Sequence, residues 1–164
     1  MLLHRIANRP TVDLPADPQA VSLRRLLASE AISTHFQPIF SVRQKAVIGM
    51  EALSRGLMSD GRLISPYELF KMAAAERLAA ELEGTYRKAA VQNFAGLAPR
   101  PDELLLFLNL DLGATGDPQD LPFALERLVR NANLLPRNVA VEFLEARLED
   151  VGGFGALMPA KLAR

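Results

Sequence analysis

The spacing of apolar residues along the chain changes from strand-like to helix-like and back several times. Apolar residues that recur every three to four positions indicate an amphipathic helix, whereas short alternating or continuous apolar runs indicate strands. A polar stretch of hairpin length, Arg43 to Lys45, joins the first two of these strands. The pattern predicts strands over residues 35–42, 47–54, 104–112 and 139–144, and helices over residues 20–32, from residue 66, over 78–94 and over 121–133.

Strands that alternate with helices in this way predict an α/β fold. A parallel crossover needs a connection of helix length, so the later strands are expected to lie parallel beneath a helical layer. Pro38 lies inside the first predicted strand and has no N–H to donate, which places that strand at an edge or an entry position. Pro10, Pro15 and Pro18 predict a flexible arm or linker over residues 1–19, before a folded part over residues 20–164.

Two helix starts carry a local signal. Ser65 and Glu68 have the spacing of a capping box, and Pro66 stands at the first helical position. Asp120 is a favourable capping residue in front of the helix predicted from Leu121. Both helices are therefore expected to begin where these residues stand.

Composition excludes several classes of protein. The 164 residues are 49% hydrophobic and 23% charged, which is typical of a globular domain. Nineteen basic residues against nineteen acidic ones leave no net charge to hold DNA non-specifically. The chain has no Cys, so disulfide and thiolate-metal scaffolds are excluded. No apolar run approaches the roughly 20 residues of a membrane helix, and the start does not resemble a secretory signal, so a cytoplasmic protein without a membrane span is expected.

Polar residues gather where the predicted strands end, and this is where βα barrels and open α/β sheets carry their chemistry. Carboxylate and amide oxygens from neighbouring strands suit a hard divalent cation such as Mg²⁺, Mn²⁺ or Ca²⁺, and an Arg beside them could clamp a phosphate. A plain structural interpretation stays open, in which Glu51 and Arg55 form an ion pair while Asn109 hydrogen-bonds a loop. The strand-end residues are Glu51 with Arg55, Asn109 with Asp111, and Glu142 with Glu145.

Four ordered motifs resemble the EAL domain, a bacterial phosphodiesterase family that cleaves cyclic di-GMP. The signature Glu-Ala-Leu occurs within a longer matching segment, and the other motifs follow at the family's spacing over residues 20–164. Three letters alone would be weak evidence, whereas four ordered motifs are specific. The matching segments are Phe36-Gln37-Pro38-Ile39 with Gly49-Met50-Glu51-Ala52-Leu53-Ser54-Arg55, then Ser65-Pro66-Tyr67-Glu68-Leu69, Leu108-Asn109-Leu110 and Glu142-Phe143-Leu144-Glu145.

The resemblance implies a TIM-type βα barrel whose first strand runs antiparallel. It implies a hydrolase of bacterial signal transduction, in which metal-activated water opens one phosphodiester of cyclic di-GMP to give pGpG. It also assigns roles to particular residues of this chain. These are Glu51, Asn109 and Glu142 as ligands of Mg²⁺ or Mn²⁺, Arg55 and Gln37 as substrate contacts, and Glu145 as the anchor of a loop over the site.

The resemblance covers only part of such a domain. A βα barrel takes about 250 residues, so residues 20–164 supply little more than half of one. The family's Asp-Asp-Phe-Gly motif and its later Lys and Glu have no counterpart here; Gly152-Gly153-Phe154-Gly155 lacks both Asp residues. We therefore expect the chain to be the truncated N-terminal part of an EAL phosphodiesterase, incomplete in its catalytic residues and inactive by itself.

Two other interpretations stay open. The chain could be a non-catalytic half-domain that regulates cyclic di-GMP signalling by binding a protein partner, or, with less support, a degenerate receptor for the dinucleotide. An unclosed barrel leaves strand edges uncovered, so we expect a homodimer or other self-association under any of these interpretations.

Overall fold

The computed structural model describes residues 22–58, 60–98, 101–111 and 120–143. The predicted arm over residues 1–19 lies outside these ranges, and so does the last part of the predicted folded region, residues 144–164 with Glu145. Within them no helix combines the length and the apolarity that crossing a lipid bilayer requires. In chain order the elements are α1 (Leu23–Ala28), β1 (Ile32–Ser41), β2 (Ala46–Leu57), β3 (Leu63–Ile64), α2 (Pro66–Glu76), α3 (Ala79–Ala95), β4 (Leu105–Leu110), α4 (Leu121–Asn131), a 3₁₀ turn (Pro136–Asn138) and β5 (Val139–Phe143).

One mixed sheet organises the described residues. Its strand order is β1-β2-β4-β5, with the short β3 paired to β2. β1 and β2 form an antiparallel hairpin, whereas β2, β4 and β5 are parallel neighbours. The α/β fold with an antiparallel first strand is therefore confirmed. Pro38 lies in β1, at the end of this strand order, as its missing N–H predicts.

Helices α3 and α4 cover one face of the sheet. On α3, Val91 and Phe94 are fully buried against Leu106 and Leu108 of β4. The ring of Phe94 also meets Phe36 of β1 edge to face, with ring centroids 6.1 Å apart. A second cluster, built around the fully buried Leu23, Leu26, Leu69 and Leu82, packs α1 and α2 against the start of α3.

The near-continuous apolar run over residues 104–112 is typical of a strand buried on both faces, but the structure fully buries only one face of β4. Along β4, buried residues alternate strictly with half-buried ones. The continuous apolar sequence hides this alternation, because Leu105 and Phe107 are apolar but lie on the face away from the helices. That second face also carries the polar strand-end residues.

Both helices begin where the local signals predict, but one of the two caps does not form. Ser65 and Glu68 form the predicted capping box in front of α2. Asp120 stands directly before α4, which begins at Leu121 as predicted, but its backbone is helical and its side chain makes no capping hydrogen bond. α1 is shorter than predicted, and a carboxylate from α2 holds its first turn: Glu76 accepts hydrogen bonds from the amides of Leu23 and Arg24.

Candidate functional site

The sheet register places the strand-end residues on one face. Strand residues two apart share a face, and paired residues on neighbouring strands share it too. Gln37 of β1 pairs with Glu51 of β2, and Asn109 of β4 pairs with Glu142 of β5. Glu51 pairs with Phe107, two residues before Asn109, so these four polar side chains belong to the same face.

Glu51 and Asn109 are in direct contact. Asn109 Nδ2 donates a hydrogen bond of 2.6 Å to Glu51 Oε1, and both residues are half-buried. Since the amide nitrogen faces the carboxylate, Asn109 Oδ1 and Glu51 Oε2 are the oxygens left to bind a further group. Glu51 therefore contacts Asn109, and not Arg55 as the plain structural interpretation has it.

The other predicted site residues lie around this contact. Glu142 and Gln37 are exposed at their register positions beside Asn109 and Glu51. Arg55 is half-buried, and its Nη1 donates to the carbonyl oxygen of Ser54 at 2.8 Å. That contact uses one of five guanidinium N–H donors, so most remain for an anion.

The donor set fits a hard divalent cation by its chemistry. Glu51, Glu142 and Asn109 would offer oxygen atoms alone, which is what Mg²⁺, Mn²⁺ and Ca²⁺ prefer. Across the described ranges, no three His, Cys, Asp or Glu side chains lie close enough together to form a metal-binding group. The set is therefore two carboxylates and one amide, and a full coordination sphere would need further oxygens.

A buried polar cluster on α3 lies behind this rim. Glu83 is only 3% exposed, and its Oε2 lies 3.5 Å from Nη1 of Arg87. Together with Tyr86, these side chains line a cavity of about 100 Å³ that also reaches Ser54 and Asn109. The cavity therefore borders one of the candidate ligands.

Sequence analysis missed this cluster. Residues 83, 87, 90 and 94 follow the 3–4 spacing of one helical stripe, and Ala90 and Phe94 on that stripe are buried in the core. Continuing the stripe toward the start of the helix would have placed Glu83 and Arg87 inside. A Glu and an Arg four residues apart more often form a solvated surface pair, and that interpretation conceals the signal.

Burial alters the acid–base properties of the cluster. Burial raises the pKa of Glu83 to about 7, with Arg87 opposing this rise and Asp111 adding to it. The pKa of the Tyr86 hydroxyl also rises, through burial and the Glu83 charge, while Arg55 opposes the rise. Burial lowers the pKa of Arg87. Arg55 and Asp111 are thus close enough for their charges to act on the cluster.

Comparison with known proteins identifies a family match over most of the chain. The family model described as EAL domain matches residues 20–152. Among curated proteins, "Probable cyclic di-GMP phosphodiesterase PdeB" of Escherichia coli (strain K12) is 23% identical over 128 residues. That alignment spans 78% of this chain but 25% of PdeB.

Solved structures show the same fold. The FimX EAL domain from Pseudomonas aeruginosa, bound to c-di-GMP, superposes with a TM-score of 0.63 at 23% identity, covering 82% of this chain and 52% of that EAL-domain chain. The Bacillus subtilis YkuI protein, with an EAL domain and in complex with substrate c-di-GMP and calcium, gives a TM-score of 0.64 at 21% identity. That match covers 83% of this chain and 35% of YkuI. The chain thus spans about half or less of the length of each of these three proteins.

Proposed function

This chain belongs to the EAL domain family, and from that membership we propose that it supplies the first strands of a cyclic di-GMP phosphodiesterase site. Glu51, Asn109 and Glu142 would hold Mg²⁺ or Mn²⁺ there. The observation that carries the proposal is the 2.6 Å contact between Asn109 and Glu51, with Glu142 in register beside Asn109. PdeB is named for this activity, and YkuI was solved with the same substrate and a divalent cation.

The chain's own residues would bind and orient the substrate. A bound divalent cation would supply Lewis-acid chemistry, lowering the pKa of water and neutralising phosphodiester charge. Arg55 would hold a substrate phosphate through the N–H donors that Ser54 does not occupy, because a guanidinium matches phosphate oxygens in pairs. Gln37, exposed opposite Glu51, would contact the dinucleotide from the neighbouring strand. Glu145 would anchor a loop over the site.

A polypeptide of these 164 residues would bind the cation without turning substrate over. Two carboxylates and one amide leave the cation under-neutralised and offer no further group to accept a proton from water. The second half of an EAL domain would supply those groups.

The alternative function, a non-catalytic regulator that binds a protein partner, rests on a different observation. In the described sheet β1 and β5 are the terminal strands, and the β1–β2 hairpin exposes Phe40 by 58% and Val42 by 84%. Exposed apolar residues beside strand edges favour association with another chain, including a second copy. Light scattering at micromolar concentration tests self-association, and a stable monomer would contradict it.

Calorimetry with Mn²⁺, followed by chromatography of products after incubation with cyclic di-GMP, tests the main proposal. We expect Mn²⁺ to bind, Glu51→Gln to weaken binding at least 10-fold, and the exposed Glu103→Gln to leave it unchanged. We expect no pGpG. Failure to bind Mn²⁺ would overturn the cation site, whereas steady turnover by the 164-residue chain would overturn its inactivity.

A further inference from the structure

The cavity behind the strand-end rim contains polar groups without partners. Glu83 Oε2, Tyr86 OH and Arg87 Nη1 are buried and make no hydrogen bond to any described residue. Glu83 and Arg87 lie at ion-pair distance, 3.5 Å, but the two atoms are not aligned for a hydrogen bond. Three of the four such side-chain atoms among the described residues therefore belong to one cluster.

This combination has an energetic consequence. A buried polar group without a partner destabilises the fold, and buried polar groups in proteins are paired with protein atoms or ordered water in the great majority of cases. The cavity volume of about 100 Å³ is large enough for several water molecules. The three unpartnered atoms also supply the two to four polar partners that an ordered water requires.

The chemistry of the lining selects water over an ion. The Glu83 carboxylate disfavours an anion beside Arg87, and Arg87 disfavours a cation beside Glu83. Water both donates and accepts, so it can satisfy a carboxylate oxygen, a guanidinium N–H and a phenol hydroxyl at once. The ring of Tyr86 is held edge to face against Phe70, with centroids 5.9 Å apart, which limits where its hydroxyl can move.

We propose that this cavity holds ordered water. This water would link Glu83, Tyr86 and Arg87 to Asn109, and it would orient Asn109 for its hydrogen bond to Glu51. Asn109 stands near the carboxyl end of β4, where it borders the cavity on the α3 side while its side chain donates to Glu51 on the other face, so it belongs to both structures. Groups behind a metal ligand orient it through such hydrogen bonds. Tyr86 would be a positioning residue in this arrangement. The positioning role rests on the proposed cation site, whereas the water site does not.

Tyr86→Phe is the sharpest variant, because it removes one hydroxyl oxygen and keeps the ring. The chain's other tyrosine, Tyr67, is 77% exposed on α2, and Tyr67→Phe is the matched control. The readouts are a crystal structure of the chain, its thermal unfolding midpoint and its Mn²⁺ affinity by calorimetry. In the crystal structure of the wild-type chain we expect water in the cavity. For Tyr86→Phe we expect a roughly 10-fold weaker Mn²⁺ affinity and an almost unchanged thermal unfolding midpoint. Tyr67→Phe should match the wild type.

Each of the other outcomes overturns one part of the proposal. A cavity that holds no ordered water in the crystal structure removes the water site. Water present together with an unchanged Mn²⁺ affinity in Tyr86→Phe removes the positioning role, and so does a lower midpoint without a change in affinity. Absence of Mn²⁺ binding by the wild type overturns the cation site and the positioning role with it, while the crystal structure still decides the water site.

Discussion

Asn109 donates a 2.6 Å hydrogen bond to Glu51 across 58 residues of sequence, and this joins β4 to β2 at the rim of the sheet. The amide stands between a carboxylate and the register position of a second one, Glu142. A neutral donor at this place satisfies Glu51 Oε1 without a cation, and the amide oxygen would still be open to one.

Asn109→Asp should therefore make the chain dependent on a divalent cation. The variant replaces a hydrogen bond to a charged group by a second carboxylate, so we expect the free energy of unfolding in chelator to fall by about 2 kcal/mol. Millimolar Mn²⁺ should restore much of this loss, because a ligand that binds only the folded state stabilises it. Urea unfolding with and without Mn²⁺ measures both effects. The control is Asn131→Asp, which is exposed on α4 and whose stability should not respond to Mn²⁺. The prediction would be contradicted if Asn109→Asp and the wild type were equally stable in chelator.

The buried Glu83 should give the protein a pH-dependent stability of a defined sign. Burial raises its pKa from 4.5 in the unfolded chain to about 7 in the folded one, with Arg87 opposing this rise and Asp111 adding to it. Between these pH values the folded state binds more protons, so stability falls as pH increases through this window, by roughly 3 kcal/mol for this group.

Glu83→Gln isolates that contribution, because glutamine resembles the protonated acid at every pH. Relative to wild type, the variant should be nearly equal near pH 4.5 and more stable at pH 8, as measured by urea unfolding. Glu81 is exposed on the same helix, and the stability of Glu81→Gln should change with pH in the same way as that of the wild type. A Glu83→Gln profile that also runs parallel would show that Glu83 ionises in the folded protein as it does in the unfolded chain.

Glu76 should contribute stability that is lost in acid. Burial opposes its ionisation, but hydrogen bonds from the Leu23 and Arg24 amides and the Ser22 hydroxyl outweigh this, so its pKa lies below 4.5. The contribution is complete above the unfolded pKa and disappears as pH falls through the lowered folded pKa. Glu76→Ala should lose about 1–2 kcal/mol at pH 7 and less at pH 3, as measured by chemical unfolding. Glu76→Gln keeps an acceptor and should lose less; identical unfolding of the Ala variant and wild type at pH 7 would refute the role.

Gly49 should tolerate no side chain at its place in β2. A Cβ there would overlap the ring of Phe107 and lie 3.0 Å from the carbonyl oxygen of Leu105. Gly49→Ala should destabilise the fold by about 1–3 kcal/mol, and Phe107→Leu in the same chain should recover part of this loss. Gly84→Ala, in the open middle of α3, is the control and should stabilise by about 0.5–1 kcal/mol. The measurement is thermal unfolding of the wild type, the two single variants and the double variant. Unchanged stability of Gly49→Ala would mean that Phe107 and the backbone move aside readily.

Much of the fold is readable from local patterns. Apolar spacing identified the main strands and helices in order, because the faces of each element repeat at 2 or 3.6 residues whatever they pack against. The Ser65–Glu68 capping box was predictable for the same reason, since all its atoms lie within four residues. The two-residue β3 was missed because its length carries no periodicity. α4 begins at Leu121 as predicted, but Asp120 makes no capping hydrogen bond, because a favourable residue type does not ensure a capping geometry.

The sequence by itself determined which side-chain chemistry the chain carries: carboxylate and amide oxygens without thiols, an arginine near them, and ordered motifs of one family. Tertiary structure alone decided that Glu51 engages Asn109 and not Arg55, since strand pairing brings residues together that sequence spacing leaves 58 apart. It also decided that Glu83 and Arg87 lie inside. A charged pair on a helix has the same spacing in water and in a core, and only the sheet packed against α3 removes the solvent.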